Sequence, residues 1–313
     1  MHQHAPFDQS PGECLDITSW DLDEEYPSLP GQKPKKVLLC PLSASAPYLI
    51  GGHRYLFKDP RGSDAQQIWC EVIAYRLARV LGIDVPPAFL AFDRFTRRPG
   101  VVMEFFYGHG DRADLRFVNA VELFQASRTT VAEKRGSLTQ NLRLSRLYGC
   151  VHYRYWWAQT VAFDTLMGNQ DRHSVNWGFF IRRDPEGGAQ HFLGPVFDNG
   201  SALGARIREE DLHRFVAGEA FDRFIARGRH HYGWTYDDDE SRFVPLCRKF
   251  LETYGEVRAT FTRIAGLADS ALEEVIASCR CEGFPIPFSA LRAEFVLKQI
   301  KARRDGLRES LGG

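Results

Sequence analysis

Apolar positions along the chain change period from segment to segment, and each period predicts a different element. KKVLLCP (35–41) is a short apolar run with strand character. After the loop SASAP (43–47), YLIGGHRYLFK (48–58) places two strand-like runs around Gly51-Gly52, a hairpin signal. From Asp64 to Leu81 the spacing turns helical, with Ile68, Val72, Ile73, Leu77, Val80 and Leu81 recurring on one side and Gly82 as the stop. Asp64 is placed to cap that helix. IDVPPAFLAFD (83–93) and GVVMEFF (100–106) are the next strands, joined at TRRPG. Residues 37–106 therefore predict a small, mostly antiparallel sheet with one helix.

Beyond residue 107 the helical period dominates, with segments near 118–134, 151–167, 209–227, 241–261, 269–279 and 289–309. Two short strands, WGFFIRR and HFLGPVF, interrupt them around the turn DPEGG. Trp156, Trp157, Phe163 and Leu166 belong to the core rather than to a stacking platform for bases. Ahead of the sheet, residues 1–36 are polar and punctuated by Pro and Gly. They predict an extended arm carrying an acidic run, Asp21 to Glu25, and anchored by Trp20 and Tyr26. The expected class is α+β and bilobal. An N-terminal arm (1–36) precedes a sheet-rich lobe (37–106) and a helix-rich lobe (107–313).

Charge and composition narrow the function classes. The 313 residues hold 40 Lys plus Arg against 40 Asp plus Glu, which argues against a dedicated non-specific nucleic-acid binder. No apolar stretch is long enough to span a membrane, and the first residues lack the basic and apolar regions of a signal peptide. Seven scattered cysteines point to free thiols and the cytoplasm; delivery as an effector is the alternative. Cys279 and Cys281 lack the second pair that a zinc site needs and are expected to be helix-end thiols.

The chemistry concentrates in MGNQDRHSVNWGFFI (167–181) and PVFDNGSALG (195–204). A helix ending at Gly168 leads into a polar loop with Asp171, His173 and Asn176. A hairpin follows, and Asp198 lies at its far end. If the hairpin folds back, Asp198 returns to Asn176, so that a carboxylate and an amide oxygen face each other. That pair suits Mg²⁺, a hard cation often held by few protein oxygens together with phosphates. The bland reading of Asp171 and Asn176 as turn residues weakens as Gly168, Asn169, His173 and Asp198 add up in order.

These residues resemble the HipA-like kinases, within the wider protein-kinase-like and phosphoinositide-kinase-like folds. That family's catalytic loop, G-N-x-D-x-H-x-x-N, is matched by GNQDRHSVN, and its metal-binding Asp by FDNG. EVIAYRLARVLGIDVPP resembles its early helix. The resemblance covers roughly residues 37–300 and implies a set of roles. Lys58, at the end of YLFK, contacts ATP phosphates and pairs with Glu71, which could otherwise make a surface contact with Tyr75. Asp171 orients or deprotonates an acceptor hydroxyl, while Asn176 and Asp198 hold Mg²⁺. Glu104, Phe105 and Phe106 meet adenine at the link between lobes. His173 braces the loop. The chain departs from the wider kinase pattern in lacking a GxGxxG loop and an HRD triplet, and DNG replaces DFG. Ser43 and Ser45 in SASAPYLIGG would then supply phosphate contacts and could be autophosphorylated. Family toxins usually carry a further N-terminal subdomain, for which this chain is too short.

The implied activity is ATP- and Mg²⁺-dependent transfer to a Ser or Thr hydroxyl of a protein substrate. An antitoxin or other regulatory partner is possible in such a family, and neither nucleic acid nor membrane is expected as one. The DRHxxN form also fits a lipid or small-molecule kinase, and the metal ligands alone would allow AMP transfer. A non-catalytic scaffold has no need of Lys58, Asp171, Asn176 and Asp198 together. The basic stretch Arg206–His231 could receive an acidic partner or the acidic arm, or be a solvated face interleaved with Glu209, Glu210 and Asp211.

Overall fold

A computed structural model of the chain describes residues 8–24, 35–127 and 136–312. Its first sheet draws on strands β1 (Leu15–Asp16), β2 (Asp21–Leu22), β3 (Lys35–Leu39), β4 (Arg54–Lys58), β5 (Ala88–Asp93) and β6 (Arg98–Glu104). These six lie in the order β1-β5-β6-β4-β3-β2, antiparallel except where β1 runs parallel to β5. The segment expected as an arm is therefore partly built into the sheet through β1 and β2. Gln9 extends the attachment: its side-chain amide donates to the Leu90 carbonyl at 2.9 Å and its oxygen accepts from the Leu90 N–H at 2.7 Å. Trp20 is buried as expected, whereas Glu25 and Tyr26 lie outside the described residues.

Two sequence expectations need correction in this sheet. Tyr48–Ile50 is not a strand. β4 pairs instead with β3, from Lys35 opposite Lys58 to Leu39 opposite Arg54. Tyr48 and Leu49 are both buried, and adjacent side chains of a strand would point to opposite faces. They anchor the loop 40–53, whose base is closed by the Cys40 N–H on His53 O (2.9 Å) and the Gly52 N–H on Cys40 O (3.0 Å). Gly51 passes so close to the Leu42 carbonyl that a Cβ there would overlap it. The second correction concerns the turn between β5 and β6. It falls at residues 94–97, just before Pro99-Gly100, with Arg97 at φ 54°.

Helix α1 (Gln67–Leu81) is buried on nearly every side, with only Arg79 and Val80 exposed, as in a helix enclosed by protein. One side packs on β5 and β6, and the other meets the helical lobe. There Trp69 sits against Phe284 and Phe288, with ring centroids 5.6 and 5.2 Å away, and donates to Ile286 O at 2.9 Å. Arg76 reaches Ser278 Oγ at 2.8 Å. Gly82, at φ 60°, ends the helix. Asp64 does not cap it directly: it lies in a preceding 3-10 turn and accepts from the Gln67 side chain at 2.6 Å.

The second lobe carries a three-stranded antiparallel sheet of β7 (Arg116–Asn119), β8 (Gly178–Arg183) and β9 (Ala189–Leu193). Around it lie α2 (Ala120–Ala126), α3 (Leu138–Leu147), α4 (Tyr153–Met167), α5 (Gly218–Arg227), α6 (Phe243–Thr253), α7 (Arg258–Ala265), α8 (Asp269–Ser278) and α9 (Ala290–Ser310). The helix expected over 118–134 begins as β7 and becomes α2, and its part beyond residue 127 lies outside the described residues. The expected 209–227 helix is a 3-10 turn followed by α5, and the 241–261 helix breaks at Tyr254-Gly255 into α6 and α7. Helix α4 is central and packs against α6, α7 and α9. Trp157 is fully buried in it and Trp156 donates to Gly194 O at 2.9 Å, so both belong to the core. All seven cysteines are free. Among the described residues, no helix is long and apolar enough to cross a membrane.

Candidate active site

Helix α4 stops at Gly168, which takes φ 65°, and a Cβ there would overlap the Arg303 guanidinium. The loop that follows holds itself in shape. Asn169 Oδ1 accepts from the Asp171 N–H at 3.1 Å, and the Asn176 side-chain amide donates to Asp171 O at 2.8 Å. With Nδ2 spent on the loop, Oδ1 is the atom that Asn176 can offer a cation. The Asp171 carboxylate stays partly exposed. It accepts from Ser201 Oγ at 3.2 Å, and His173 Nε2 stands 3.5 Å from its other oxygen.

β9 ends at Leu193, and an extended stretch then carries the chain to Asp198. Asp198 takes φ 57°, in the left-handed region that few residues other than Gly, Asn and Asp adopt. Its carboxylate lies 2.8 Å from Lys58 Nζ, and the same ammonium lies 2.8 Å from Glu71 Oε1. The other Glu71 oxygen accepts the Asn199 N–H at 3.0 Å. Strand β4, helix α1 and the turn after β9 thus converge on one ammonium. Burial pushes the Asp198 carboxyl up, but the charge and hydrogen bond of Lys58, with the charges of Lys35 and Arg172, together outweigh it and hold the group down at about 2. Burial likewise pulls the Lys58 ammonium down, and Asp198 and Glu71 raise it well past its ordinary value. Lys35, which the sequence reading missed, stands directly across the strand pair from Lys58. Burial and the Lys58 charge lower its pKa, and Asp198 opposes them.

Glu104 ends β6, and Phe105 and Phe106 follow it where the lobes join. The Phe105 N–H bonds to Arg54 O at 3.0 Å and its carbonyl accepts from His53 at 2.7 Å; the Phe106 carbonyl takes Arg112 at 3.3 Å. Much of the backbone expected for adenine is thus engaged within the protein. The apolar wall is present: Phe106 stacks on Phe197 at 5.2 Å and meets Phe117 edge-on at 5.0 Å. Ser43 and Ser45 are exposed on the loop 40–53, and among the described residues neither hydrogen-bonds to the Lys58 cluster.

Two further groups were not singled out from the sequence. Arg172, inside the loop motif, is buried and pairs with Asp164 through two of its N–H groups, at 2.8 and 3.1 Å. Asn199 accepts from the same guanidinium at 2.8 Å. Their position inside the two motifs was the available signal. The basic stretch is mostly satisfied internally, with Arg208 and Arg214 on Asp211 at 3.1 and 3.3 Å, Arg223 on Glu219 at 3.0 Å and Arg206 on Asp64 at 3.4 Å. These contacts favour the solvated-face reading. Among the described residues no three of His, Cys, Asp and Glu converge as a metal site. A donor set of one ionised carboxylate and one amide still fits Mg²⁺, whose remaining ligands are commonly phosphate and water.

The architecture is similar to that of solved structures. A proinflammatory kinase of Helicobacter pylori, CtkA, superposes with a TM-score of 0.75 at 17% identity, over 96% of each chain. HipA of Shewanella oneidensis, solved with HipB and operator DNA, gives a TM-score of 0.53 at 20% identity, over 96% of this chain and 76% of that one. At these identities the likeness establishes a shared kinase-like α+β fold. No curated protein matches the chain in sequence. The HipA-like C-terminal domain model matches residues 27–264, a span that starts ahead of the lobe boundary read at residue 37 and contains every candidate site residue. The chain belongs to the HipA-like C-terminal domain family.

Proposed function

We propose that the protein is a kinase that transfers the γ-phosphoryl group of ATP, with Mg²⁺, to a Ser or Thr hydroxyl of a protein substrate. The observation that carries this reading is the Lys58 ammonium held 2.8 Å from both Glu71 and Asp198, beside a loop that presents Asp171 and Asn176. Phosphoryl transfer demands positioning and charge neutralisation more than covalent chemistry. In this reading Lys58 binds phosphate oxygens, Lys35 adds a second cation across the strand pair, and Glu71 fixes Lys58. Asp171 orients the acceptor hydroxyl and takes its proton as the oxygen attacks. Asn176 and Asp198 would hold Mg²⁺, which when bound neutralises phosphate charge. Phe106 walls the adenine site, with Glu104 and Phe105 beside it, and Ser43 and Ser45 reach the phosphates as the loop closes.

The HipA relative was solved with HipB as part of a toxin–antitoxin system, and a comparable regulatory partner is part of the proposal. Action in the cytoplasm is also part of it, supported by seven free thiols. His173 beside Asp171 in DRHxxN favours a lipid or small-molecule acceptor as the second reading.

The test is incubation with γ-³²P-ATP and Mg²⁺, wild type beside Asp171→Ala and Asp198→Ala. Label on the protein or on a generic acceptor, lost in both variants, is the expected result. If no label transfers, a nucleotide-dependent rise in melting temperature would leave a kinase lacking its acceptor, and α-labelled ATP would reveal AMP transfer. The absence of both label and shift would overturn the reading in favour of a scaffold.

A further inference from the structure

Arg172 and Asn199 touch neither nucleotide nor acceptor in that reading, yet they join the two segments that carry its metal ligands. Arg172 is 1% exposed, and its side chain has five N–H groups, all of them used. Nε and one Nη2 proton bind Asp164 at 3.1 and 2.8 Å, and the other Nη2 proton binds Asn199 Oδ1 at 2.8 Å. Nη1 binds the carbonyls of Asn176, at 3.0 Å, and Phe197. One guanidinium therefore holds the last turn of α4, the backbone of Asn176 and the residues on both sides of Asp198. Asn199 completes the tie through its own Nδ2 on Val196 O at 3.1 Å and its N–H on Glu71 at 3.0 Å. The turn is closely seated as well, since a Cβ at Gly200 would lie 3.1 Å from Gln67 Oε1 on α1.

We propose that Arg172 and Asn199 are positioning residues that clamp Asn176 and Asp198 in fixed relation, so that the metal-ligand pair is already assembled in the free protein. The physical reason lies in DNG. Where a Phe follows the metal-binding Asp, apolar packing sets an active or inactive arrangement. Here the position is a hydrogen-bonded amide on a buried cation, and moving it strands polar groups away from water. Asp198, between two of the clamped residues, takes φ 57°. The consequence for metal and nucleotide rests on the phosphotransferase reading; the clamp itself does not.

Two variants test it. Asn199→Leu keeps the side-chain size and removes its bonds to Arg172 and Val196. Arg172→Lys keeps a cation for Asp164 but cannot span the other partners. Hydrogen exchange read by mass spectrometry follows peptides 169–177 and 195–203 in the nucleotide-free protein, with β5 as the reference. Exchange is expected to rise about ten-fold or more in both peptides together and to stay unchanged in β5. Unchanged exchange in Asn199→Leu, or a rise confined to one peptide, overturns the clamp. Should Arg172→Lys not fold, Asn199→Leu decides alone. In the same variant the Mg²⁺ concentration that half-saturates ADP binding is expected to rise about ten-fold, with metal-free ADP affinity within about two-fold of wild type. Coupled exchange in a wild-type protein that binds no Mg²⁺–nucleotide would leave the clamp standing and remove the kinase reading.

Discussion

At the scale of residues, the proposed function gives Asp171 and Lys58 different tasks, and their variants should separate them. Asp171→Asn keeps the shape of the loop but cannot take a proton. Phosphoryl transfer is expected to fall by about 10²–10⁴-fold while the nucleotide-induced melting shift persists, as labelling and thermal denaturation would show. In Lys58→Met the melting shift itself is expected to shrink, because the cation proposed to bind phosphate is gone. A purely structural residue is Gly168. Any side chain there meets both the cost of φ 65° and the Arg303 guanidinium. Gly168→Ala is expected to cost about 1–3 kcal/mol, read from the urea midpoint.

At the scale of elements, legibility followed the strength of the apolar period. Helices α1, α4, α8 and α9 stand within three residues of the expected bounds, because each buries a long apolar stripe or surface. Helix α3 went unread: Leu138, Leu142 and Leu144 alternate with polar and charged residues. Its local signal was the capping box, Ser137 with Gln140, in which Ser137 Oγ accepts the Gln140 N–H at 3.3 Å. Ser137→Ala is expected to destabilise the protein by about 1 kcal/mol in chemical denaturation. The Tyr48–Ile50 strand was misread because a buried loop anchor and a short strand share the same composition. Only the pairing of β3 with β4 separates them.

For the whole molecule, the N-terminal segment and a buried histidine set the conditions of stability. Residues 8–24 supply two edge strands, and Gln9 and Gly12 tie them to Leu90 and Arg280. Removing residues 1–24 is therefore expected to lower the melting temperature, where a free arm would leave it unchanged. His230 is enclosed between α4 and α6, with Thr165 Oγ1 at 3.1 Å. Burial lowers its pKa from 6.5 to about 3. The unfolded chain takes up that proton below about pH 6.5 and the folded protein does not, so this residue makes stability fall as pH drops from 6.5 toward 3. The slope approaches about 1.4 kcal/mol per pH unit, and denaturant titrations across that range should show it flattened in His230→Gln.

The sequence by itself determined the α+β class and most of the helices, and it put forward the candidate site residues other than Lys35, Arg172 and Asn199. Motif spacing is local information, and GNQDRHSVN and FDNG are contiguous segments. What the tertiary structure decided is everything that depends on distant segments meeting. It turned a strand-end lysine into the shared partner of Glu71 and Asp198, set Lys35 opposite it, and drew part of the arm into the sheet. It also gave Arg172 a use for all five of its N–H groups. A guanidinium buried at the meeting of a helix, a loop and a turn leaves no period in the sequence, because its partners are set by packing rather than by spacing.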